Sequence, residues 1–234
     1  MSERKAYCPQ CGSEIIEGSK FCTTCGARLD AKEGVQSTAG ERKRSYVEHL
    51  TVGFNVATSQ PMVFVPAILS GVIGAFIYWT TMGSMGYTGA LLSIAASIIG
   101  FVLNFASIDM SRDAYLNEAL DLGESVRYVT DRIVDFIVAA IVGGLMAVTI
   151  ILIPVVILMF VVMVMDETGL TDAISKSIDV LRADLGDMLL ILLVSIIGSF
   201  AISYVPIISG LLDAALNVVV GLAFIDLYAN YKSS

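Results

Sequence analysis

The sequence predicts an all-α integral membrane protein, and three observations indicate this fold class. Phe136–Met165 is a run of thirty residues without a charged side chain, whereas roughly eighteen to twenty apolar residues suffice to span a bilayer. Hydrophobic residues make up 56% of the 234-residue chain and charged residues only 15%, against about a quarter in soluble domains. Charged, amphipathic segments alternate with the apolar blocks, as expected where surface helices join membrane spans.

Six transmembrane helices are predicted, at about residues 62–82, 87–107, 133–150, 152–165, 188–205 and 208–227. The segments 46–60, 109–132 and 166–187 mix charged and apolar residues, which is typical of interfacial amphipathic helices. Residues 133–165 are long for one span and short for two, and Pro154 lies near the middle of the uncharged run. One bent helix is therefore the alternative to two short spans in this region.

The distribution of charge favours six spans over five. With six, the outer connections 83–86, 151–154 and 206–210 carry no charge, and every basic residue after residue 45 lies on the side of the N-terminus. Basic residues concentrate on the cytoplasmic side of membrane proteins. No signal peptide is expected, because no apolar core with a cleavage site occurs in the first 60 residues. The prediction is a multi-pass protein of the cytoplasmic membrane with both termini in the cytoplasm.

An internal repeat agrees with this arrangement. Three 22-residue windows align without gaps, namely Gly53–Gly74, Gly123–Gly144 and Ser177–Gly198. Each has a polar start, a valine at the fourth position and a glycine at its end. A repeat at this scale indicates one supersecondary unit used several times. The predicted unit is an interfacial helix followed by a two-span hairpin.

All four cysteines lie within eighteen residues near the N-terminus, in two CxxC motifs that are each followed by glycine. They are Cys8, Cys11, Cys22 and Cys25. Four thiolates match the tetrahedral coordination of Zn²⁺, and such a small unit needs the metal to supply its folding free energy. One structural zinc ion is therefore expected, with a short hairpin over Ser13–Gly18. A rubredoxin-type iron site or a redox dithiol pair would use the same motifs.

The pattern CPxCG…CxxCG over residues 7–28 resembles the short zinc-ribbon family. We accordingly expect a zinc ribbon at residues 1–28, a flexible linker at 29–45 and a helical membrane domain at 46–231. The linker is rich in Gly, Ser, Thr and charged residues, a composition that does not fold alone. It ends in Arg42-Lys43-Arg44, which suits a cytoplasmic membrane surface.

The segment from about Glu118 to Tyr231 is similar to a loose group of prokaryotic multi-pass membrane domains of unknown function, including the membrane domain attached to some glycerophosphodiester phosphodiesterases. The shared features are an apolar span with a proline turn, an acidic-glycine segment, an Ala-x-x-x-Ser helix and further spans. Here they are Ile153-Pro154, Met165–Gly169, Ala173–Ser177 and Leu227-Tyr228. The resemblance implies a helical membrane domain and brings no catalytic activity.

Residues with catalytic potential are few, and no enzymatic activity is predicted. Motifs of the GxSxG, HExxH and P-loop types do not occur in the sequence. The single histidine, His49, lacks a second histidine or a free cysteine as partner and is expected on the surface. Asp135 and Asp226 are expected to be solvated at the ends of spans.

Asp213 is the one acid predicted inside a span. An ionisable group in hydrocarbon is costly and suggests a functional site. Asn104 and Asn217 also lie in predicted spans and can form an intramembrane polar site with it. The alternative is a carboxylate that is stabilised at a helix terminus, with the two asparagines in interhelical hydrogen bonds.

These features favour a membrane-anchored adaptor or regulatory protein, in which a cytoplasmic zinc ribbon binds a protein partner and the helices contact the lipid bilayer. The alternative is a small transporter or channel subunit, with Asp213, Asn104 and Asn217 along its path. A membrane enzyme is a third hypothesis. The net charge of −8 argues against a dedicated nucleic-acid binder, while small residues in the spans permit self-association.

Overall fold

A computed structural model of the chain describes residues 6–7, 14–15, 44–81, 87–205 and 208–233. The chain divides into two compact units, residues 1–41 and 42–234. In the first unit, strand β1 (Ala6–Tyr7) pairs with strand β2 (Glu14–Ile15) in antiparallel register, Ala6 opposite Ile15. The two strands lie on either side of the first CxxC motif, and most of the hairpin expected over Ser13–Gly18 lies outside the described residues.

All regular secondary structure among the described residues of the second unit is helical, which confirms the all-α class for this part of the chain. Two short 3₁₀ turns, Pro61–Phe64 and Ile150–Leu152, precede two of the helices. The helices are α1 (Tyr46–Ser59), α2 (Val65–Thr81), α3 (Tyr87–Leu116), α4 (Leu122–Asp131), α5 (Ile133–Met146), α6 (Ile153–Met165), α7 (Leu170–Ser203) and α8 (Ser209–Ser233).

Three helical stretches are long and apolar enough to cross a membrane. They are Gly89–Leu116, Leu170–Ser203 and Ser209–Ser233, with mean hydropathies of 2.1, 2.3 and 1.8. A fourth span results if Tyr46–Ser59 and Pro61–Ala75, which are bent by 98° at their junction, count as one. Helices α5 and α6 are apolar but shorter, with 14 and 13 residues. The described residues thus form a membrane protein with three or four helices of spanning length.

Large apolar side chains cover much of the outer surface of these helices. Leu91 on α3, Val134 on α5 and Phe200 on α7 are 67%, 68% and 64% exposed. Only 17% of the most apolar window is buried in both Gly89–Leu116 and Leu170–Ser203. Soluble proteins rarely present apolar surface of this extent to water, whereas lipid tails solvate it. This surface agrees with a location in the bilayer.

The helices are arranged as antiparallel hairpins. The start of α2 lies beside the end of α3, because the side-chain amide of Gln60 donates to the Ala114 carbonyl over 3.2 Å. The start of α5 lies beside the end of α6, where Arg132 Nη2 donates to the Thr168 carbonyl over 2.8 Å. Residues 133–165 therefore fold as two helices rather than one. The second half of α7 and α8 form a third hairpin.

A backbone break separates each hairpin from the amphipathic helix before it. Gln60, Arg132 and Asp184 have ψ angles of 72°, 22° and 32°, outside the α-helical range. Gln60 and Asp184 occupy the same eighth position of their aligned windows, and Arg132 occupies the tenth. The repeat in the sequence thus corresponds to a repeated local geometry, an amphipathic helix that ends at a bend.

Several helices extend beyond the predicted spans at their charged ends. Helix α3 continues to Leu116, nine residues past the expected end at 107, and α8 continues to Ser233. Helix α7 includes most of the expected amphipathic segment and of the span after it, with a kink at Asp184, four residues before the expected start of the span at 188. Hydropathy marks where a helix leaves the apolar medium, whereas the i→i−4 backbone hydrogen bonds can continue into the charged residues that follow.

Helix α6 and the second half of α8 form the core. Nine of the thirteen residues of α6 are buried, as expected for a helix that is apolar on all sides. Helix α1 packs closely on α8 at Gly53, where an added Cβ would lie 2.5 Å from the Val219 carbonyl oxygen and 3.0 Å from the Ala223 nitrogen. The absent side chain of Gly53 is therefore a condition of this contact.

Replacing Gly53 by alanine should force α1 away from α8. We expect the free energy of unfolding to fall by about 1–3 kcal/mol, although alanine favours a helix by about 1 kcal/mol over glycine. Gly74→Ala is the matched control, because no heavy atom lies within 4 Å of the added Cβ. Thermal unfolding of both variants in detergent, followed by circular dichroism, measures the difference. Equal stability of the two variants would contradict the close approach.

Candidate functional site

The carboxylate of Asp226 on α8 is fully buried and contacts three other segments. Arg44, just before α1, places Nη1 2.5 Å from Oδ1, and the Tyr115 hydroxyl of α3 donates to the same oxygen over 2.8 Å. His49 of α1 places Nδ1 2.6 Å from Oδ2. An ionised carboxylate only accepts hydrogen bonds, so this geometry assigns a proton to Nδ1 of His49. The three donors join the start of α1, α3 and α8 around one anion.

Two expectations about these residues were wrong. His49 was expected on the surface and is 2% exposed, while Asp226 was expected to be solvated and is 0% exposed. Both are covered because α1 packs on α8, and nothing local in the sequence shows which helix α1 contacts. The available signal was chemical, since an acid in an apolar helix requires donors. Asp135, by contrast, is 59% exposed, as expected.

A second carboxylate, Asp166, lies between α6 and α7 and is 8% exposed. Lys176 donates to it, as do the Tyr228 hydroxyl over 2.7 Å and Lys232 Nζ over 3.0 Å. Burial by itself raises the pKa of this carboxyl, but the three donors outweigh burial and lower its pKa from 3.8 to about 2. Asp166 therefore stays ionised and links α7 to the end of α8.

Two arginines extend this network of charges. Arg112 of α3 lies 3.5 Å from Asp109 and 3.3 Å from Glu167. Arg132 donates to Thr168, as described above. These groups share one end of the helical unit, which we call the polar layer. It comprises Arg44, His49, Asp109, Arg112, Tyr115, Arg132, Asp166, Glu167, Lys176, Asp226, Tyr228 and Lys232.

The polar layer is suited to holding helices together. Its buried carboxylates receive donors from several helices, and removal of one partner of a buried pair leaves an uncompensated charge. Within the described residues, no three His, Cys, Asp or Glu side chains are grouped so as to hold a metal ion. The contacts that the structure shows in the layer are ion pairs and hydrogen bonds within and between helices.

The predicted intramembrane residues lie around a pocket of about 530 Å³ between α2, α3, α6, α7 and α8, which we call the Asp213 pocket. Ser199 donates to Oδ1 of Asp213 over 2.5 Å, and Asn217 Nδ2 lies 3.1 Å from Oδ2. Asn104 lines the same pocket from α3. The structure brings the three predicted residues to one pocket and joins two of them directly, while their role stays a prediction.

Four serines that were not predicted as site residues also line the Asp213 pocket. They are Ser70, Ser107, Ser111 and Ser195. Asn104, Ser107 and Ser111 follow the spacing of three and four residues that places side chains on one helix face. Asp213, Asn217 and Gly221 do the same on α8. A polar stripe at helical spacing within an apolar span was the signal that could have identified them.

The predicted zinc ligands Cys8, Cys11, Cys22 and Cys25 lie outside the described residues. Their chemistry fits the metal, because four thiolates complete a tetrahedral Zn²⁺ site. Residues 7–29 match the family model of the zinc-ribbon domain, which supports the N-terminal ribbon and implies zinc binding. The chain has no significant match among curated proteins or among solved structures. It is thus a membrane protein with a zinc-ribbon module.

Asp226→Asn should destabilise the helical unit strongly. It replaces the anion that Arg44, His49 and Tyr115 share by a neutral amide, and a hydrogen bond to a charged group contributes about 1.5–3 kcal/mol. Arg44 itself is 43% exposed, so water can solvate its charge in the variant. Asp131→Asn is the control, since Asp131 is 71% exposed in its pair with Arg127 and an exposed pair contributes about 1 kcal/mol or less. Thermal unfolding in detergent compares the two variants. A similar small loss in both would contradict the anchoring role of Asp226.

The low pKa of Asp166 predicts a dependence of stability on pH. The folded pKa of about 2 lies below the ordinary 3.8, so the contribution is complete above about pH 4 and disappears as pH falls towards 2. The difference corresponds to about 2 kcal/mol. The stability gap between wild type and Asp166→Asn should therefore narrow over this range in chemical unfolding experiments. A gap that is constant between pH 5 and pH 2.5 would refute this assignment.

Proposed function

We propose that this protein is a membrane-anchored adaptor or regulatory protein whose zinc ribbon binds a protein partner in the cytoplasm. The observation that carries the proposal is the match of residues 7–29 to the zinc-ribbon domain in a chain whose other unit consists of membrane helices. A unit that the metal folds in advance presents a rigid surface, so binding costs little additional conformational entropy. The helices then hold that surface at the membrane.

In this proposal one Zn²⁺ is held by Cys8, Cys11, Cys22 and Cys25 and has a structural role. Four protein ligands leave no coordination position for water or substrate, which distinguishes structural zinc sites from catalytic ones. The antiparallel pairing of β1 with β2, which flank the first CxxC motif in the sequence, supports a ribbon fold for this unit. When bound, the metal supplies the folding free energy of this unit.

The attachment of the linker supports the anchoring part of the proposal. The chain enters the helical unit at Arg44, which forms an ion pair with Asp226, and its backbone nitrogen donates to Asn230 over 3.4 Å. The next residue, Ser45, caps α1 through a reciprocal capping box with Glu48. The first described residues of the helical unit are thus tied to α8 as well as to α1.

We further propose six spans with both termini in the cytoplasm. The three antiparallel hairpins support this topology, because their charged ends meet in the polar layer. Four of the six basic residues that follow residue 45 belong to that layer, namely Arg112, Arg132, Lys176 and Lys232. This is the asymmetry that the positive-inside rule associates with the cytoplasmic face. The short helices α5 and α6 would cross where neighbouring helices and local thinning reduce the thickness.

A second candidate function is a small transporter or channel subunit. The observation that favours it is the Asp213 pocket, where a carboxylate, two carboxamides and four serines converge within helices of membrane-spanning composition. Polar groups at this depth commonly mark a path for an ion or substrate. The adaptor role does not depend on this pocket.

The adaptor proposal predicts that Cys8→Ser abolishes partner binding but leaves membrane insertion intact. Loss of one thiolate opens the zinc site and unfolds the ribbon, while the helices insert independently of it. Cross-linking and affinity capture from native membranes, with zinc content measured on the purified protein, compare wild type, Cys8→Ser and the control Ser13→Ala. A cytosolic partner recovered from wild type and control alone supports the proposal. Recovery of the same proteins with Cys8→Ser, or of none with any form, rejects it.

A further inference from the structure

We propose that the Asp213 pocket is a binding site for an ammonium group carried on an apolar body. Asp213 is the only charged side chain among the residues described as lining this pocket. An ionised carboxylate without a basic neighbour, in helices of membrane-spanning composition, attracts a cation to compensate its charge. The inference goes beyond the adaptor role and concerns binding alone, so it holds whether or not the ligand crosses the membrane.

The carboxylate of Asp213 is positioned by neutral donors and retains free acceptor positions. Ser199 of α7 donates to Oδ1 and Asn217 to Oδ2, over 2.5 and 3.1 Å. A carboxylate has about four acceptor positions, so two remain for a ligand. The two oxygens of Asp213 are thus preorganised to accept from an N–H donor, because the side chain needs little reorganisation when a ligand binds.

A second observation on α3 points to a ligand independently. Asn104 lines the pocket and is exposed, and its carboxamide makes no hydrogen bond to the part of the chain that the structure describes. An unpaired amide in an apolar medium costs a few kcal/mol. An ammonium group has three N–H donors, which matches acceptors from Asp213, Asn104 and a lining serine.

The size and the walls of the pocket favour an organic amine over a bare metal ion. A volume of about 530 Å³ lies within the range of roughly 300–1,000 Å³ typical of small-molecule sites and far exceeds that of an ion. Ile108, Ile157, Phe160 and Val161 supply apolar walls. A few convergent polar groups on an otherwise apolar surface are the usual composition of such sites. The ligand is therefore amphiphilic, with one cationic end.

Two sources can supply this chemistry in a membrane, namely a free amine and the headgroup of an aminophospholipid. Both present a primary ammonium group next to apolar chains. The recognition by Asp213 and Asn104 is the same in either case, so the experiment separates the two sources by the composition of the lipid.

The test measures binding of hexylamine to the full-length protein in nanodiscs of phosphatidylcholine at pH 7, by calorimetry, with hexanol as the uncharged analogue. We expect the wild type to bind hexylamine at least about tenfold more tightly than hexanol, a difference of about 1.4 kcal/mol. Asp213→Asn should remove this preference. Asp135→Asn, which removes a carboxylate that does not line the pocket, should retain it.

A second variant, which fills the pocket with a larger side chain, tests the proposal even if Asp213→Asn does not fold. Gly221 lines the pocket, and no heavy atom lies within 4 Å of a Cβ added there. Gly221→Leu should therefore fold and block hexylamine. The control is Gly186→Leu, whose added Cβ is equally unobstructed and whose position lies outside the pocket lining. Thermal unfolding verifies the fold of each variant.

Nanodiscs that contain phosphatidylethanolamine then identify the source. Competition by this lipid, seen as weaker hexylamine binding than in phosphatidylcholine, supports the site with a lipid headgroup as ligand, and unchanged binding supports it with a free amine. Equal affinity for hexylamine and hexanol, or full hexylamine binding by folded Gly221→Leu, overturns the proposal. Binding without flux in proteoliposomes rejects only the transporter candidate, and the Cys8→Ser capture experiment tests the adaptor role separately.

Discussion

The helical unit depends on the compensation of one buried anion, the carboxylate of Asp226. Its transfer from water into a site with 0% exposure carries a penalty of several kcal/mol, which is offset only when all its donors are in place. Two of the donors, Arg44 and His49, arrive with the start of α1, and the third, Tyr115, requires α3 to continue well past its apolar stretch. The close packing of α1 on α8 at Gly53 makes this geometry accessible. Packing and electrostatics are therefore coupled here, because each is favourable only when the other is satisfied.

The carboxylates of the helical unit have two kinds of environment. Those with cationic donors have a structural role, whereas the one with neutral donors is a candidate binding site. Asp226 and Asp166 receive cationic donors, so their charge is neutralised within the protein. From the described residues Asp213 receives only a hydroxyl and a carboxamide as donors. Its hydrogen bonds are therefore partly satisfied, but no described cation neutralises its charge. Polar groups in a pocket of this kind remain open to water or to a ligand. The polar layer explains how the helices hold together. The Asp213 pocket, by contrast, contains a carboxylate with free hydrogen-bond acceptor positions.

The repeated local geometry shows how a chain of low internal identity can build three similar hairpins. In each case an amphipathic helix ends at a non-helical residue, and an apolar helix then leaves in a new direction. In the six-span topology proposed above, the bend would keep the polar helix at the interface while the next helix enters the apolar medium, since a straight helix cannot satisfy both. Such a geometry requires mainly a pattern of polar and apolar residues. This agrees with a repeat in which the three windows share the polar or apolar character of their positions but few identical residues.

Local chemistry determined what the sequence could predict. The uncharged run at residues 136–165 indicated the membrane, the CxxC spacing indicated the zinc ribbon that the family match supports, and hydropathy singled out Asp213, Asn104 and Asn217 as polar residues in apolar helices. Only the tertiary structure placed these three around one pocket and added its serines. It also buried His49 against Asp226, where surface positions were expected, and extended α3, α7 and α8 beyond their apolar stretches. These outcomes depend on which helices pack together, and a contact between residues 177 positions apart leaves no trace in a local pattern.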